Sequence, residues 1–210
     1  MENKFPKSSE ELKKFLYHGK EETYLEYKGD ISWNDRKKKL EIVQTIFALA
    51  NEKEGGVIII GVNDNGERIG LSEENYNSFS HDTLNKFLNG KGNQPIHCKL
   101  SKEEIKEGEK LKKFVFIQVQ ESKEFPLVYI GETQTIKRGE KAYPENIGLR
   151  KGALYIRNKR NIGNKEITDI DEWQELIERT YKKYEKETIR RYKIIKEKNV
   201  VNPYNNELTI

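Results

Sequence analysis

One apolar run constrains the fold of this chain more than any other feature. The run VIIIGV spans Val57 to Val62 and follows a glycine pair, Gly55 and Gly56. A continuous run of this kind is typical of a strand covered on both faces, whereas a half-exposed strand alternates apolar and polar residues. The chain must therefore place a layer on each side of this strand. The turn sequence NDNG then fits a tight hairpin.

Other segments supply the layers that such a strand needs. The segment DRKKKLEIVQTIFALAN predicts an amphipathic helix, and IHCKLS, KFVFIQVQ and GALYIRN predict strands. The segment TDIDEWQELIERTYKKY predicts a second helix, whose buried face would carry Ile170, Trp173, Leu176 and Ile177. This order predicts an α+β fold, with a mixed, largely antiparallel sheet and flanking helices. We expect one domain over residues 1–180 and a basic C-terminal helical extension and tail over residues 181–210.

Charge is abundant and unevenly distributed. Charged residues make up 35% of the chain, and residues 150–198 contain 15 Lys and Arg against 9 Asp and Glu. This excess favours a polyanionic partner, although mixed charge on a helix is more often a solvated face. The sequence has no P-loop, no run near the ~20 apolar residues of a membrane span, no signal-peptide pattern and one cysteine. These features predict a cytoplasmic protein that contacts no membrane.

The candidate site begins in the stretch EETYLEYKGD. A strand there places Glu26 and Lys28 on one face, about 7 Å apart. Two interpretations remain open. In the first, these charges form a solvated strand edge and Asp64 is only a turn residue. Alternatively, they collect a cation and a phosphate. Carboxylates that share a small pocket cannot all be anions unless a cation neutralises them, and oxygen ligands suit Mg²⁺ or Mn²⁺.

The combined pattern resembles the Schlafen-like AlbA domain family. The matching positions are Glu21, Glu26, Tyr27, Lys28, Ala50, Asn51, Gly55, Gly56, Ile60, Gly61, Val62 and Asp64. The segments FPLVY and ALYIRN, with Pro126 and Arg157, resemble the closing strands of the family. The chain departs from the pattern in the loop 131–150 and in the basic helix after residue 180.

This resemblance implies a function in nucleic-acid chemistry. Some members look like metal-dependent endoribonucleases that cut structured RNA, notably tRNA, and a place in anti-phage defence or a stress response belongs to the same expectation. By position, Glu21, Glu26 and Asp64 would be catalytic and would bind Mg²⁺ or Mn²⁺, with Glu22 as an alternative to Glu21. Lys28 would neutralise the scissile phosphate. Other members resemble nucleic-acid-binding domains without cleavage, so a regulatory binding module is the alternative.

Two further expectations concern partners. RNA would contact the basic third of the chain, at Lys151, Arg157, Lys159, Arg160, Arg190 and Arg191. In eukaryotic Schlafen proteins two AlbA-type lobes in one chain clamp the RNA, whereas this chain has one lobe. The resemblance therefore implies a homodimer. The apolar positions between Trp173 and Ile195 would form its interface, unless that stripe packs on its own sheet.

Overall fold

The computed structural model describes residues 7–123, 126–136, 147–159 and 162–197. The chain separates into two compact units, one that ends at Ile167 and one that begins at Thr168. The boundary predicted at residue 180 instead falls inside a long helix, because the helical pattern continues through that position without a break.

The described part of the first unit contains four helices and eight strands. In chain order these are α1 (Ser9–Leu16), β1 (Leu25–Lys28), α2 (Arg36–Ala50), β2 (Gly56–Ile60), α3 (Glu73–Ser78), α4 (His81–Leu88), β3 (Cys98–Glu107), β4 (Lys110–Val119), β5 (Gln134–Ile136), β6 (Ile147–Leu149), β7 (Tyr155–Arg157) and β8 (Asn164–Glu166). The second unit contributes α5 (Ile170–Glu197). Strand β8 and the division of residues 72–94 between two helices were not predicted.

The main sheet has the strand order β1-β2-β4-β3. Strands β1 and β2 run parallel, with Lys28 opposite Ile60, and the other two pairs are antiparallel. This arrangement confirms the predicted α+β class with a mixed, largely antiparallel sheet. Strand β1 lies at one edge of the sheet, and two separate two-stranded sheets, β5-β6 and β7-β8, complete the described unit.

Strand β2 is covered on both faces, as its sequence predicts. Ile58 and Ile60 belong to the hydrophobic cluster that includes most of α2. Val57 and Ile59, which point the other way, belong to the cluster that contains Leu12 and Leu16 of α1. Ser8 caps α1, and Glu11 completes a capping box with it.

Helix α5 corrects one prediction about burial. Of the four residues predicted to be buried, only Leu176 is, whereas Ile170, Trp173 and Ile177 are 70%, 39% and 63% exposed. Periodicity shows that a helix has an apolar face, but that face is buried only where another element covers it. Among the described residues, no helix combines the length and apolar character needed to cross a membrane.

Candidate carboxylate cluster and nucleic-acid interface

A tight chain reversal before β1 brings Glu21 beside that strand. The N–H of Glu22 donates to the carbonyl of Leu25 over 3.0 Å, and the N–H of Leu25 donates back to Glu22 over 3.1 Å. Glu21 therefore returns alongside the strand, where its Oε1 accepts a 2.8 Å hydrogen bond from the N–H of Tyr27. The two glutamates of the sequence motif, Glu21 and Glu26, become neighbours through this reversal.

Glu26 is a buried carboxylate with two cationic partners. It is 4% exposed, so it does not belong to a solvated strand edge. Lys28 Nζ contacts its Oε1, and Arg157 Nη1 lies 2.6 Å from its Oε2. The contact with Arg157 is an ion pair without an aligned hydrogen bond. Nη1 also donates to Asn164 Oδ1 over 2.7 Å. Two positive charges thus offset the cost of burying the carboxylate.

Arg157 is fixed by the reversal that it supports. Its side chain is fully buried, and its Nε and Nη2 donate to the carbonyls of Thr23 and Glu22 over 3.1 and 3.3 Å. We predicted a contact between Arg157 and RNA, but in this arrangement the guanidinium faces Glu26 and is not available to a phosphate. It holds the first strand and the carboxylate in place. An arginine inside the otherwise apolar strand segment ALYIRN is the sequence signal that indicates a buried, structural role for Arg157.

The electrostatic surroundings of Glu21 favour its protonated form. Burial raises the pKa of Glu21 above its ordinary value of 4.5, and the negative charge of Glu26 adds to this effect. The Tyr27 N–H, Lys28 and Arg157 act in the opposite direction without cancelling it. Glu21 therefore keeps its proton to a higher pH than an exposed glutamate does.

We expect the Glu21→Gln variant to gain stability over the wild type as the pH rises. The pKa of Glu21 is higher in the folded than in the unfolded protein. Its contribution to the free energy of unfolding is therefore present below about pH 4.5 and is lost as the pH rises through the folded pKa. Glutamine keeps an oxygen for the Tyr27 N–H but never ionises. Urea unfolding between about pH 4 and pH 7 measures the difference, and a difference that does not change with pH contradicts this assignment.

The turn that carries Asp64 packs against the segment that leads to Glu21. Asp64 is exposed in the hairpin after β2, where Asn63 Oδ1 accepts hydrogen bonds from the N–H groups of Asn65 and Glu67 at 3.1 and 2.9 Å. A Cβ added at Gly66 would lie 2.1 Å from the carbonyl oxygen of Gly19. The three positions of the predicted carboxylate trio therefore lie on neighbouring segments.

The side chains do not fit a metal ion in this arrangement. Within the described ranges, no three Asp, Glu, His or Cys side chains are grouped so that they could hold one. The donor chemistry agrees, because both Glu26 oxygens face cations and one Glu21 oxygen accepts a hydrogen bond. Glu22, the alternative to Glu21, pairs with Lys20 at 3.0 Å and with His18 at 3.3 Å. The metal-binding role of the trio stays a prediction.

An exposed aromatic ring and an arginine lie beside this cluster. The Arg68 guanidinium carbon is 4.5 Å from the centre of the Tyr17 ring, and Tyr17 is 52% exposed. The backbone of Arg68 forms a bridge with Val62 across the hairpin that contains Asp64, and its Nε forms an ion pair with Glu107, which leaves the other N–H groups of the guanidinium for a ligand. We name the surface formed by Tyr17, Glu21, Lys28, Asp64 and Arg68 the Glu21 face. Our sequence interpretation missed Tyr17 and Arg68, since neither belongs to a recognisable motif.

The other predicted RNA contacts have mixed placements. Lys151, Lys159 and Arg190 are exposed, as a contact with a phosphate backbone requires. Arg160 lies outside the described residues. Arg191 lies in α5, but its side chain is outside the described part of the structure.

The fold and the carboxylate cluster define an α+β domain in which an edge strand carries a buried, ion-paired glutamate, Glu26. The chain belongs to the Schlafen, AlbA_2 family, whose model matches residues 21–166. This match confirms the resemblance seen in the sequence and supports a role related to nucleic acids.

The comparisons with curated sequences and with solved structures do not extend this assignment. No curated protein sequence matches the chain. One similar solved structure is the DIP2311 protein from Corynebacterium diphtheriae, with 14% sequence identity and a TM-score of 0.40. The similarity covers 64% of this chain and 29% of the DIP2311 chain, so this chain spans less than a third of that protein.

Proposed function

We propose that this chain binds structured RNA on the Glu21 face, with tRNA as the first RNA to test. The observation that carries the proposal is the exposed Tyr17 ring with the Arg68 guanidinium beside it. Unpaired bases stack on aromatic rings and on guanidinium planes, and arginine also binds phosphate through two parallel hydrogen bonds. Family membership supports nucleic acid in general, and this pair favours RNA with accessible bases.

The charge on the Glu21 face is compatible with a polyanion. The exposed carboxylate of Asp64 would repel a phosphate backbone, but the neighbouring Glu26 carboxylate is neutralised by Lys28 and Arg157. One oxygen of Glu21 accepts the hydrogen bond from the Tyr27 N–H. Exposed basic residues at Lys151, Lys159 and Arg190 provide further sites for the backbone.

We expect Tyr17→Ala and Arg68→Ala each to weaken tRNA binding by about tenfold or more, since each stacked base contributes about 1–3 kcal/mol. Fluorescence anisotropy with labelled tRNA measures the change. Arg68→Lys keeps the charge but loses the planar group, so its affinity should fall between those of the wild type and Arg68→Ala.

The matched control for these variants is Ile130→Ala, which truncates another exposed large side chain. We expect its tRNA affinity to equal that of the wild type. If Tyr17→Ala, Arg68→Ala and Arg68→Lys also bind tRNA as tightly as the wild type, the RNA does not bind on the Glu21 face.

Cleavage of the bound RNA is a second candidate function. The observation that favours it is the grouping of Glu21 and Glu26 next to the turn that carries Asp64. For this activity we expect Mg²⁺ or Mn²⁺ as the cofactor and a role in defence or a stress response, as the family resemblance implies. The cytoplasmic location is predicted from the sequence composition. For the trio to hold an ion, Lys28 must leave Glu26 and Asp64 must turn toward it.

Incubation of the purified chain with total tRNA distinguishes the two candidates. Cleavage in Mn²⁺ that EDTA abolishes, and that both Glu26→Gln and Asp64→Asn remove, supports the nuclease. Binding without cleavage in any metal supports the binding module. Cleavage that persists in Asp64→Asn shows that Asp64 is not part of the active site.

A further inference from the structure

Helix α5 carries a narrow stripe of exposed apolar side chains. Its members are between 39% and 70% exposed, and they are Ile170, Trp173, Ile177, Tyr181 and Tyr184. At 3.6 residues per turn, their spacing places all five within an arc of about 80°. This is the narrow seam of a helix that pairs with one other helix, and is narrower than the face of a helix that lies on a sheet.

The stripe is symmetric in sequence about Ile177. Trp173 and Tyr181 lie four residues to either side of it, and Ile170 and Tyr184 lie seven residues to either side. Two such helices that pack antiparallel with Ile177 at the centre place each Trp173 level with the Tyr181 of the other copy. Ile170 is then level with Tyr184. A parallel pair would instead place each residue against itself.

The charges of α5 favour the same orientation. Residues 170–178 contain four acidic residues and no basic ones, whereas residues 179–184 contain three basic residues and no acidic ones. With Ile177 at the centre of an antiparallel pair, residues 170–184 of the two helices overlap, and Asp171, Glu172 and Glu175 lie level with Lys183, Lys182 and Arg179 of the other copy. The two helix dipoles also oppose each other, which favours the same orientation. A parallel pair would place like charges together along its whole length.

We propose that α5 pairs antiparallel with α5 of a second copy of this chain, with the five stripe residues as the contact. At the usual separation of packed helices, about 8–10 Å, the side chains of the two stripes interdigitate. The inference gives the homodimer expected from the sequence a defined orientation and register. It does not rest on RNA binding.

Sedimentation of the full chain across micromolar concentrations tests the pairing. We expect a monomer–dimer equilibrium that Ile177→Asp weakens at least tenfold, because like charges brought together at an interface cost several kcal/mol. Ile177 is 63% exposed, so this change leaves the fold intact, which circular dichroism verifies. The control Ile130→Asp, at another exposed isoleucine, should sediment as the wild type does.

Disulfide formation tests the orientation. Both cysteine variants are made in a Cys98→Ser background, because the native thiol is only partly buried. A mixture of Ile170→Cys and Tyr184→Cys chains should form a mixed disulfide dimer, whereas neither variant alone should cross-link. Cross-linking of each variant with itself indicates a parallel pair and overturns the proposal. A wild type that stays monomeric, or that dimerises only when RNA is added, also overturns it.

Discussion

We expect replacement of Arg157 with methionine to lower the free energy of unfolding by at most about 3–5 kcal/mol, the usual cost of breaking a buried ion pair, because Lys28 still contacts Glu26. Arg157 Nη1 lies 2.6 Å from Glu26 Oε2, and the side chains of both residues are buried. The change also removes the hydrogen bonds to the carbonyls of Glu22 and Thr23, which hold the reversal before β1. Urea unfolding measures the loss.

Two further variants separate charge from packing. Arg150→Met is the matched control, because Arg150 is exposed and its Nε lies 3.2 Å from Glu166, so its unfolding midpoint should stay near that of the wild type. The double variant Glu26→Met, Arg157→Met should recover much of the lost stability, since it removes both fully buried charges and leaves only the partly exposed Lys28 without its partner. If Arg157→Met is as stable as the wild type, Arg157 does not hold Glu26.

Replacement of Gly66 with alanine is the second change with a large expected effect. Gly66 has a φ of +77°, and an added Cβ would lie 2.1 Å from the carbonyl oxygen of Gly19. The left-handed backbone costs a residue with a side chain about 1–2 kcal/mol. The collision adds to this cost, because the Asp64 turn must move away from the Glu21 segment. We expect a total loss above about 2 kcal/mol and weaker tRNA binding.

Gly108 provides the matched control for this change. It also has a left-handed backbone, with a φ of +61°, but an added Cβ there meets nothing within 4 Å. Gly108→Ala therefore isolates the conformational cost, about 1 kcal/mol, and should leave tRNA affinity unchanged. Equal losses in the two variants would mean that contact between the Asp64 turn and the Glu21 segment contributes nothing.

The sequence predicted the parts of the fold that depend on local pattern. The run of isoleucines in β2 required cover on both faces, and α1 and α2 provide it. The motif also grouped Glu21, Glu26 and Lys28 correctly as neighbours. These features follow from residues that lie close together along the chain, where periodicity and turn chemistry decide the structure.

The sequence did not predict the features that depend on distant partners. Glu26 and Arg157 are 131 positions apart, and each residue alone is expected to be exposed. Their burial becomes possible only when β7 brings the two charges together. The apolar face of α5 was recognised, but its pattern is the same whether or not another element covers it, so its exposure could not be predicted.

The salt dependence of tRNA binding tests the central claim most directly. Each phosphate contact releases about one counterion, so a plot of log affinity against log salt concentration is linear and its slope counts contacts. We predict a steep negative slope for the wild type and a slope shallower by about one for Arg68→Ala. Absence of tRNA binding at low salt, or an Arg68→Ala variant with the affinity and slope of the wild type, would contradict RNA binding on the Glu21 face.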